Sequence, residues 1–165
     1  MERLAKYREK RQFDQTSEPV GGESVQLKGI YVVQKHNASH LHYDFRLEIE
    51  GALASWAVPK GPSMNPKDKR LAMHVEDHPM EYADFAGVIP AGNYGAGTVE
   101  IWDRGRFQPL VDPLAGVASG VLDFLLEGDR LHGGFALVKL QKSKGDSWLL
   151  FKKKDAFADP LWTMG

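Results

Sequence analysis

The chain has no cysteine among its 165 residues. This absence excludes disulfide bridges, thiolate metal sites and a cysteine nucleophile. A metal site in this protein must therefore use histidine, aspartate, glutamate or backbone oxygen atoms as ligands. The sequence also lacks any apolar run close to the roughly 20 residues that a membrane span needs. Its first 13 residues, MERLAKYREKRQF, carry charges throughout, which is not the pattern of a signal peptide.

The chain also lacks an excess of charge of either sign, because 21 basic residues face 22 acidic ones and the net charge is −1. A protein that covers a long duplex without regard to sequence normally has a strong basic excess, so the composition argues against that class. It remains compatible with a small site that binds one or two phosphates. The length fits one domain with an adequate hydrophobic core.

Residues 1–27 are polar and of mixed charge, and we predict a mobile arm there. From residue 28 to residue 165 we predict one mainly antiparallel all-β domain with few short helices, a small barrel or sandwich. Its strands are predicted at 30–33, 41–49, 52–58, 70–76, 98–102, 120–126, 131–140 and 148–152. Tight turns are predicted at 50–51, 103–105, 127–129 and 144–146.

The run 41–49 alternates between apolar and polar residues with period two, so its polar side chains share one face of a strand. His42 and Asp44 are then about 6–7 Å apart at the backbone and can bind one ion. His36 is the nearest candidate for a third ligand, whereas we interpret His40 as a surface residue. Arg46 follows on the same face and can present a planar fork to a phosphate. A solvated strand face would produce the same alternation, and that alternative stays open.

Two further positions are candidates for phosphate chemistry. His78 precedes Pro79, which favours an extended backbone there, and it can donate to a phosphate oxygen or act as a general acid. Lys60 lies in a rigid Pro-Lys-Gly-Pro loop. A packed loop histidine and a plain turn lysine are the alternatives. The glycine-rich run 89–97 matches no nucleotide-binding fingerprint, so no nucleotide cradle is predicted there.

Six segments together resemble the 3′-phosphoesterase domain of bacterial DNA ligase D, the end-joining ligase, and its free-standing relatives. They are VQKH (33–36), LHYDFRLE (41–48), SWAVPKGP (55–62), VEDHP (75–79), IPAGNYGAG (89–97) and WDRG (102–105). The resemblance runs from about residue 7 to residue 155. It implies a compact β-barrel with a Mn²⁺-dependent site, Zn²⁺, Co²⁺ or another divalent ion being alternatives. The implied activity removes a 3′-terminal ribonucleoside from DNA and then hydrolyses the remaining 3′-phosphate to a hydroxyl.

Carried over by motif, the metal ligands are His36, His42 and Asp44, and Arg46 and His78 are the phosphate-contacting pair. The resemblance also implies supporting roles in catalysis for Lys60, Arg70 and Glu76, and in substrate binding for Gln34, Tyr82, Arg11 and Glu18. The implied partners are DNA primer–template 3′ ends that carry a ribonucleotide or a 3′-phosphate. Ligase and polymerase modules and Ku are further expected partners, and the expected location is the cytoplasm, at the nucleoid and not at a membrane.

Two rival functions remain at this point. A facial-triad Fe²⁺ oxygenase matches His42, Asp44 and a later His78 in form, and turnover without oxygen would exclude it. A non-catalytic module that binds DNA ends is the other rival. Gln12 favours it, because the family often has an acidic residue at that position.

Overall fold

The structure is a computed structural model that describes residues 3–21, 29–140 and 146–164. Its helices are α1 (Ala5–Glu9), a 3₁₀ helix (Met80–Asp84) and α2 (Pro113–Ser119). Its strands are β1 (Ile30–Asn37), β2 (Leu41–Ile49), β3 (Ala52–Val58), β4 (Arg70–Pro79), β5 (Gly87–Ile89), β6 (Gly97–Pro109), β7 (Val121–Gly128), β8 (His132–Lys139) and β9 (Ser147–Lys152). No helix of the described residues is long and apolar enough to pass through a bilayer.

Eight strands close into an antiparallel barrel in the order β1-β2-β3-β4-β9-β8-β7-β6, and β6 pairs back onto β1. The short strand β5 pairs with the first residues of β6, outside this ring. The predicted antiparallel β-barrel with few short helices is therefore confirmed. Closure leaves the eight barrel strands without a free edge.

Alternation along β2 explains which face points inward. Tyr43, Phe45, Leu47 and Ile49 are buried in the main core, together with Trp56 and apolar residues of the other strands. Because side chains alternate along a strand, the polar residues of β2 must point out of the barrel. Asp44 and Arg46 are nevertheless buried, and His42 and Glu48 are partly buried, so another layer covers this part of the barrel.

The covering layer is a second apolar cluster that joins the N-terminal segment to the barrel exterior. Its buried members are Tyr7, Val32, Leu53, Met80, Tyr82, Ala83, Phe85, Ile89 and Val99. The described part of the predicted arm, residues 3–21, therefore lies against the barrel instead of extending away from it. Burial of the Tyr7 ring gives the physical reason, and its hydroxyl also donates to the Pro19 carbonyl. The division into an arm and a barrel domain stays a prediction.

The predicted hairpin turn at 103–105 is wrong, because β6 continues through these residues and pairs with both β1 and β7. Asp103 is a buried strand residue whose carboxylate accepts hydrogen bonds from the Tyr31 hydroxyl and from the backbone N–H groups of residues 129–131. The polar WDRG run therefore organises the β7–β8 turn. Strand β4 also extends three residues beyond the predicted end, while most of the predicted turn 144–146 lies outside the described residues.

Candidate metal and phosphate site

The register of the β1–β2 hairpin brings the predicted metal ligands together. His36 pairs with His42, and Gln34 pairs with Asp44, on the outward face of the two strands. Directly opposed residues of an antiparallel pair have side chains about 5 Å apart. His36 therefore reaches the His42–Asp44 pair across the strand boundary. Its eight-residue distance from Asp44 along the chain is bridged by the turn at residues 38–40.

Three side-chain atoms converge at this point. His36 Nδ1 lies 3.3 Å from Asp44 Oδ2, and His42 Nε2 lies 3.3 Å from Asp44 Oδ1. One ligand atom from each residue lies within 4.8 Å of the others, a spacing that one ion can bridge. Two imidazole nitrogens and one carboxylate oxygen are a donor set suited to Mn²⁺, Zn²⁺ or Fe²⁺ more than to Ca²⁺.

The remaining nitrogen of each ring has a backbone partner. His36 Nε2 lies 2.6 Å from the Gly95 carbonyl oxygen, and His42 Nδ1 lies 3.0 Å from the His40 carbonyl oxygen. A carbonyl only accepts, so these nitrogens carry protons. In a neutral ring the nitrogen that faces Asp44 then has a lone pair that a metal ion can accept, whereas in a protonated ring the same nitrogen donates to the carboxylate. Metal-binding histidines characteristically have this outer support, which fixes both tautomer and ring orientation. The residues present therefore fit a divalent metal.

Charge at the cluster favours an ionised carboxylate. Burial raises the pKa of Asp44, but the positive charge of Arg46 and hydrogen bonds from the two imidazoles outweigh it, leaving the pKa far below its ordinary value. For His42, burial lowers the pKa, but the hydrogen bond and charge of Asp44 outweigh that effect and give a net increase. A divalent metal ion would bind the same Asp44 carboxylate that stabilises the proton on His42, so metal binding and protonation of His42 compete.

Arg46 lies beside the cluster with its guanidinium held from several sides. Its Nε donates to Gln34 Oε1 at 2.7 Å, its Nη2 lies 3.4 Å from Asp44 Oδ2, and its Cζ stands 4.8 Å from the Tyr82 ring centroid. Gln34 in turn donates to the carbonyl oxygens of Tyr82 and Phe85. Gln34 is fully buried and is not among the residues of the pocket wall, so in this structure its contact with the site runs through Arg46.

One donor of this guanidinium is left over. Arg46 Nη1 is buried and has no acceptor among the described residues. A buried donor without a partner costs about 1–3 kcal/mol, and a charged one costs more. Because Arg46 lines the pocket above the cluster, an anionic oxygen bound there would satisfy Nη1.

His78 is buried against the same pocket. Burial, followed by the charges of Arg46 and Arg11, holds its pKa well below the ordinary value, so the ring is neutral near pH 7. Its Nδ1 donates to the Glu76 carbonyl oxygen at 2.9 Å, and its Nε2 accepts from Arg11 Nη2 at 3.2 Å. In this arrangement His78 orients Arg11. Donation from Nε2 to a phosphate would require Arg11 to move and the ring to change its protonation.

The N-terminal segment closes one side of the pocket through Arg11. Its guanidinium binds Glu18 Oε2 at 2.9 Å and Glu76 Oε2 at 3.3 Å, and stacks over the Tyr7 ring at 4.0 Å. Glu18 also accepts from the Tyr82 hydroxyl at 2.8 Å. Buried carboxylates with these partners are structural and electrostatic supports of the site.

The pocket has a volume of about 290 Å³ and brings together most of the predicted site residues. Of these, its walls include Arg11, Glu18, His36, His42, Asp44, Arg46, Glu76, His78 and Tyr82. Lys60 and Arg70, predicted to support catalysis, lie instead in a separate depression with Lys67 and Lys69, which we call the basic depression. The reason is geometric. Lys60 follows the last residue of β3 and Arg70 is the first residue of β4, whereas His78 pairs with Leu53 at the opposite end of this strand pair.

Tyr94 and Gly95 are among the residues of the pocket wall that sequence reasoning did not predict. They belong to the glycine-rich loop 89–97, where no nucleotide fingerprint was found. Gly95 contributes a carbonyl oxygen to His36, 59 residues away in sequence. No periodicity signals such a contact, because it depends on how the loop folds over the hairpin.

Comparison with known proteins gives one consistent relationship. The family model described as the DNA ligase D 3′-phosphoesterase domain matches residues 34–139. The Multifunctional non-homologous end joining protein LigD of Pseudomonas aeruginosa is 52% identical over 162 residues, covering 96% of this chain and 19% of that protein. The corresponding DNA repair protein of Mycobacterium tuberculosis is 43% identical over 159 residues, covering 93% and 20%.

The chain thus spans about a fifth of the length of these relatives. Within that fifth the match includes both strands of the His36–His42–Asp44 cluster and the loop that supports it. The chain belongs to the DNA ligase D 3′-phosphoesterase domain family.

Proposed function

We propose that this protein is a divalent-metal phosphoesterase that heals DNA 3′ ends during end joining. It removes a 3′-terminal ribonucleoside to leave a 3′-phosphate, and then hydrolyses this phosphate to a 3′-hydroxyl. The observation that carries the proposal is the convergence of His36, His42 and Asp44 beside a buried guanidinium whose Nη1 has no protein acceptor among the described residues. The names of the relatives, which refer to non-homologous end joining, support the repair setting.

The proposed metal is Mn²⁺, held by His36 Nδ1, His42 Nε2 and an oxygen of Asp44. A bound divalent ion supplies Lewis acidity toward a phosphate oxygen. The protein supplies orientation, because both imidazoles are fixed by backbone carbonyls and the carboxylate stays ionised. These features make the binding geometry largely independent of substrate.

Arg46 binds the phosphate in this proposal. Nη1 is the donor aimed at a nonbridging oxygen, and the bond from Nε to Gln34 prevents the guanidinium from rotating away. In the phosphatase step, a water oxygen forms the new bond to phosphorus while the bond to the 3′ oxygen breaks. One proton of the water ends on the 3′ oxygen, which becomes the hydroxyl, and the other leaves with inorganic phosphate. Arg46 stabilises the negative charge on the phosphoryl oxygens as this occurs.

The ligand assignment is tested with a 5′-labelled strand ending in a 3′-phosphate, in the presence of Mn²⁺. His42→Ala and Asp44→Ala are expected to abolish phosphate release and weaken Mn²⁺ binding in a titration. His132→Ala, on β8, is the matched histidine control and should behave like wild type. Phosphate release at the wild-type rate by either site variant would contradict the assignment.

A second strand, ending in one ribonucleotide, tests both steps together. Successive products with a 3′-phosphate and then a 3′-hydroxyl are expected in the same gel lane. Tight binding of the strand without either product at saturating Mn²⁺ would instead favour a non-catalytic DNA-end binding module. Turnover without oxygen excludes the oxygenase alternative.

A further inference from the structure

Tyr94 is an aromatic residue at the rim of the site pocket. Half of it is exposed (50%), yet it lines the pocket together with the metal cluster, Arg46 and His78. None of the roles assigned above uses this ring. An aromatic residue whose function is to fill a core is normally buried. The exposure of this ring next to the proposed phosphate site therefore indicates another function.

The backbone under Tyr94 is fixed relative to the cluster. Asn93 N–H donates to the Pro90 carbonyl, Ala96 N–H donates to the Asn93 carbonyl, and two turns therefore flank the ring. The next residue, Gly95, has a positive φ of 75° and accepts the hydrogen bond from His36 Nε2. Adjacent Cα atoms are about 3.8 Å apart, so the ring is attached one residue from a group that orients a metal ligand.

The N-terminal segment supplies positive charge beside the ring. Lys10 Nζ lies 4.9 Å and Arg11 Cζ lies 5.3 Å from its centroid. Both cations are also bound by Glu76, at 2.9 Å from Lys10 Nζ and 3.3 Å from Arg11 Nη1. This arrangement limits the freedom of the ring, half of which stays exposed at the wall of the pocket.

We propose that Tyr94 is a stacking platform for the terminal nucleobase of the strand whose 3′ phosphate occupies the Arg46 pocket. This inference rests on the proposed function, because it needs a nucleic acid 3′ end at that site. Aromatic side chains stack on bases with little regard to base identity, which suits an enzyme that accepts many ends. Tyr94 then contacts the terminal base of the strand, while Arg46 and the metal ligands bind the 3′ phosphate of the same strand.

The test compares two primer–templates with a 3′-phosphate that differ only at the last residue, a normal nucleotide or a tetrahydrofuran abasic residue. The Kd is measured by fluorescence anisotropy, and kcat/KM by phosphate release with Mn²⁺. Wild type is expected to favour the base-bearing end by about tenfold, within the range that base–aromatic stacking provides. Tyr94→Ala should remove this preference, and Tyr94→Phe should keep it.

Phe157→Ala is the matched control, because Phe157 is also an exposed aromatic residue but lies in a different cavity, with His132 and Phe107. It should leave the preference unchanged. An unchanged preference in Tyr94→Ala, or an equal loss on both ends together with weaker Mn²⁺ binding, overturns the proposal. If wild type binds but does not turn over either end, the proposed function fails, and the ratio of Kd values still decides the role of Tyr94.

Discussion

Arg46 shows at the scale of one residue how the site is prepared for an anion. Three groups fix its guanidinium, namely Gln34, Asp44 and the Tyr82 ring, and none of them accepts from Nη1. A lysine at this position would keep the charge but lose the planar fork and the bond to Gln34. The geometry of the donor, beyond its charge, is therefore the property to test.

We expect Arg46→Lys to lower kcat for 3′-phosphate release about a hundredfold, as removal of a preorganised donor commonly does. The control is Arg104→Lys, since Arg104 pairs with Asp84 at an exposed position and does not line the site pocket. Steady-state kinetics of both variants with Mn²⁺ provide the measurement. A kcat near the wild-type value in Arg46→Lys would show that a positive charge at this position suffices for 3′-phosphate release without the planar donor geometry.

The sequence identified His42 and Asp44 as a pair because a period-two pattern reports which side chains share a strand face. His36 was only the nearest further candidate, and the family resemblance implied the complete set of three ligands. Their convergence is now visible in the register, while the metal itself stays a prediction. Tyr94 and Gly95 could not be found in this way. Their position depends on the loop 89–97 folding back over the β1–β2 hairpin, a contact between segments distant in sequence.

At the scale of elements, the N-terminal segment is a component of the site wall. Arg11 is buried and neutralises two buried carboxylates, Glu18 and Glu76, from its place after α1. Removing one partner of a buried ion pair leaves an uncompensated charge, which commonly costs about 3–5 kcal/mol. This loss of stability should appear first at the contact between the N-terminal segment and the barrel.

Arg11→Ala is therefore expected to release the N-terminal segment while the barrel stays folded. Limited proteolysis should cut within residues 3–21 much faster than in wild type, and hydrogen exchange should increase there but not in β2. Lys6→Ala, which changes an exposed cation of α1 in the same segment, is the control. Equal protection of the segment in Arg11→Ala and wild type would contradict this role.

Strand prediction succeeded where a tight turn and an apolar face coincided. The limits predicted for β2 and β3 agree with the structure, because Glu50 and Gly51 have positive φ values that a two-residue hairpin turn requires. Strand prediction failed where buried polar residues stabilise the fold. Asp103 lies inside β6, and Lys152, the last residue of β9, is buried and bound to Asp155 at 2.6 Å.

The basic depression gives an element-scale test of Lys60 and Arg70. Both residues lie beside Lys67 and Lys69 and away from the pocket wall. We therefore expect them to contact the DNA backbone instead of the reacting phosphate. Lys60→Ala and Arg70→Ala should each weaken primer–template binding and reduce the slope of log K against log salt by about 1. kcat at saturating substrate should change little. A large loss of kcat without a change in this slope would instead support the catalytic role that the family resemblance implies.

At the scale of the whole molecule, the residues that stabilise the closed barrel and the residues of the candidate site lie on opposite faces of its strands. The apolar residues of alternate positions fill the interior, and the site occupies the outer face under the N-terminal segment. His74 belongs to the interior side, where its ring stacks on Trp56 at a centroid distance of 4.8 Å. It thus offers a measure of barrel stability that is remote from the metal cluster.

Burial lowers the pKa of His74, and Lys139 adds to this against opposing effects of Asp146 and Asp77. Since the unfolded chain has an ordinary histidine pKa of about 6.5, it binds more protons than the folded protein once the pH falls toward that value. The free energy of unfolding should therefore decrease as the pH falls through about 6.5. His78 contributes with the same sign and His42 with the opposite sign, because their pKa values are lowered and raised respectively.

His74→Phe isolates the contribution of this residue, because phenylalanine retains an aromatic ring next to Trp56 but cannot be protonated. Urea unfolding of wild type and variant is compared at about pH 7.5 and about pH 5.5, on either side of the ordinary histidine pKa. The loss of stability between the two pH values should be smaller in the variant, whatever its absolute stability. An equal loss in both proteins would mean that protonating His74 costs the folded barrel nothing, and that its ring is not held in an apolar environment.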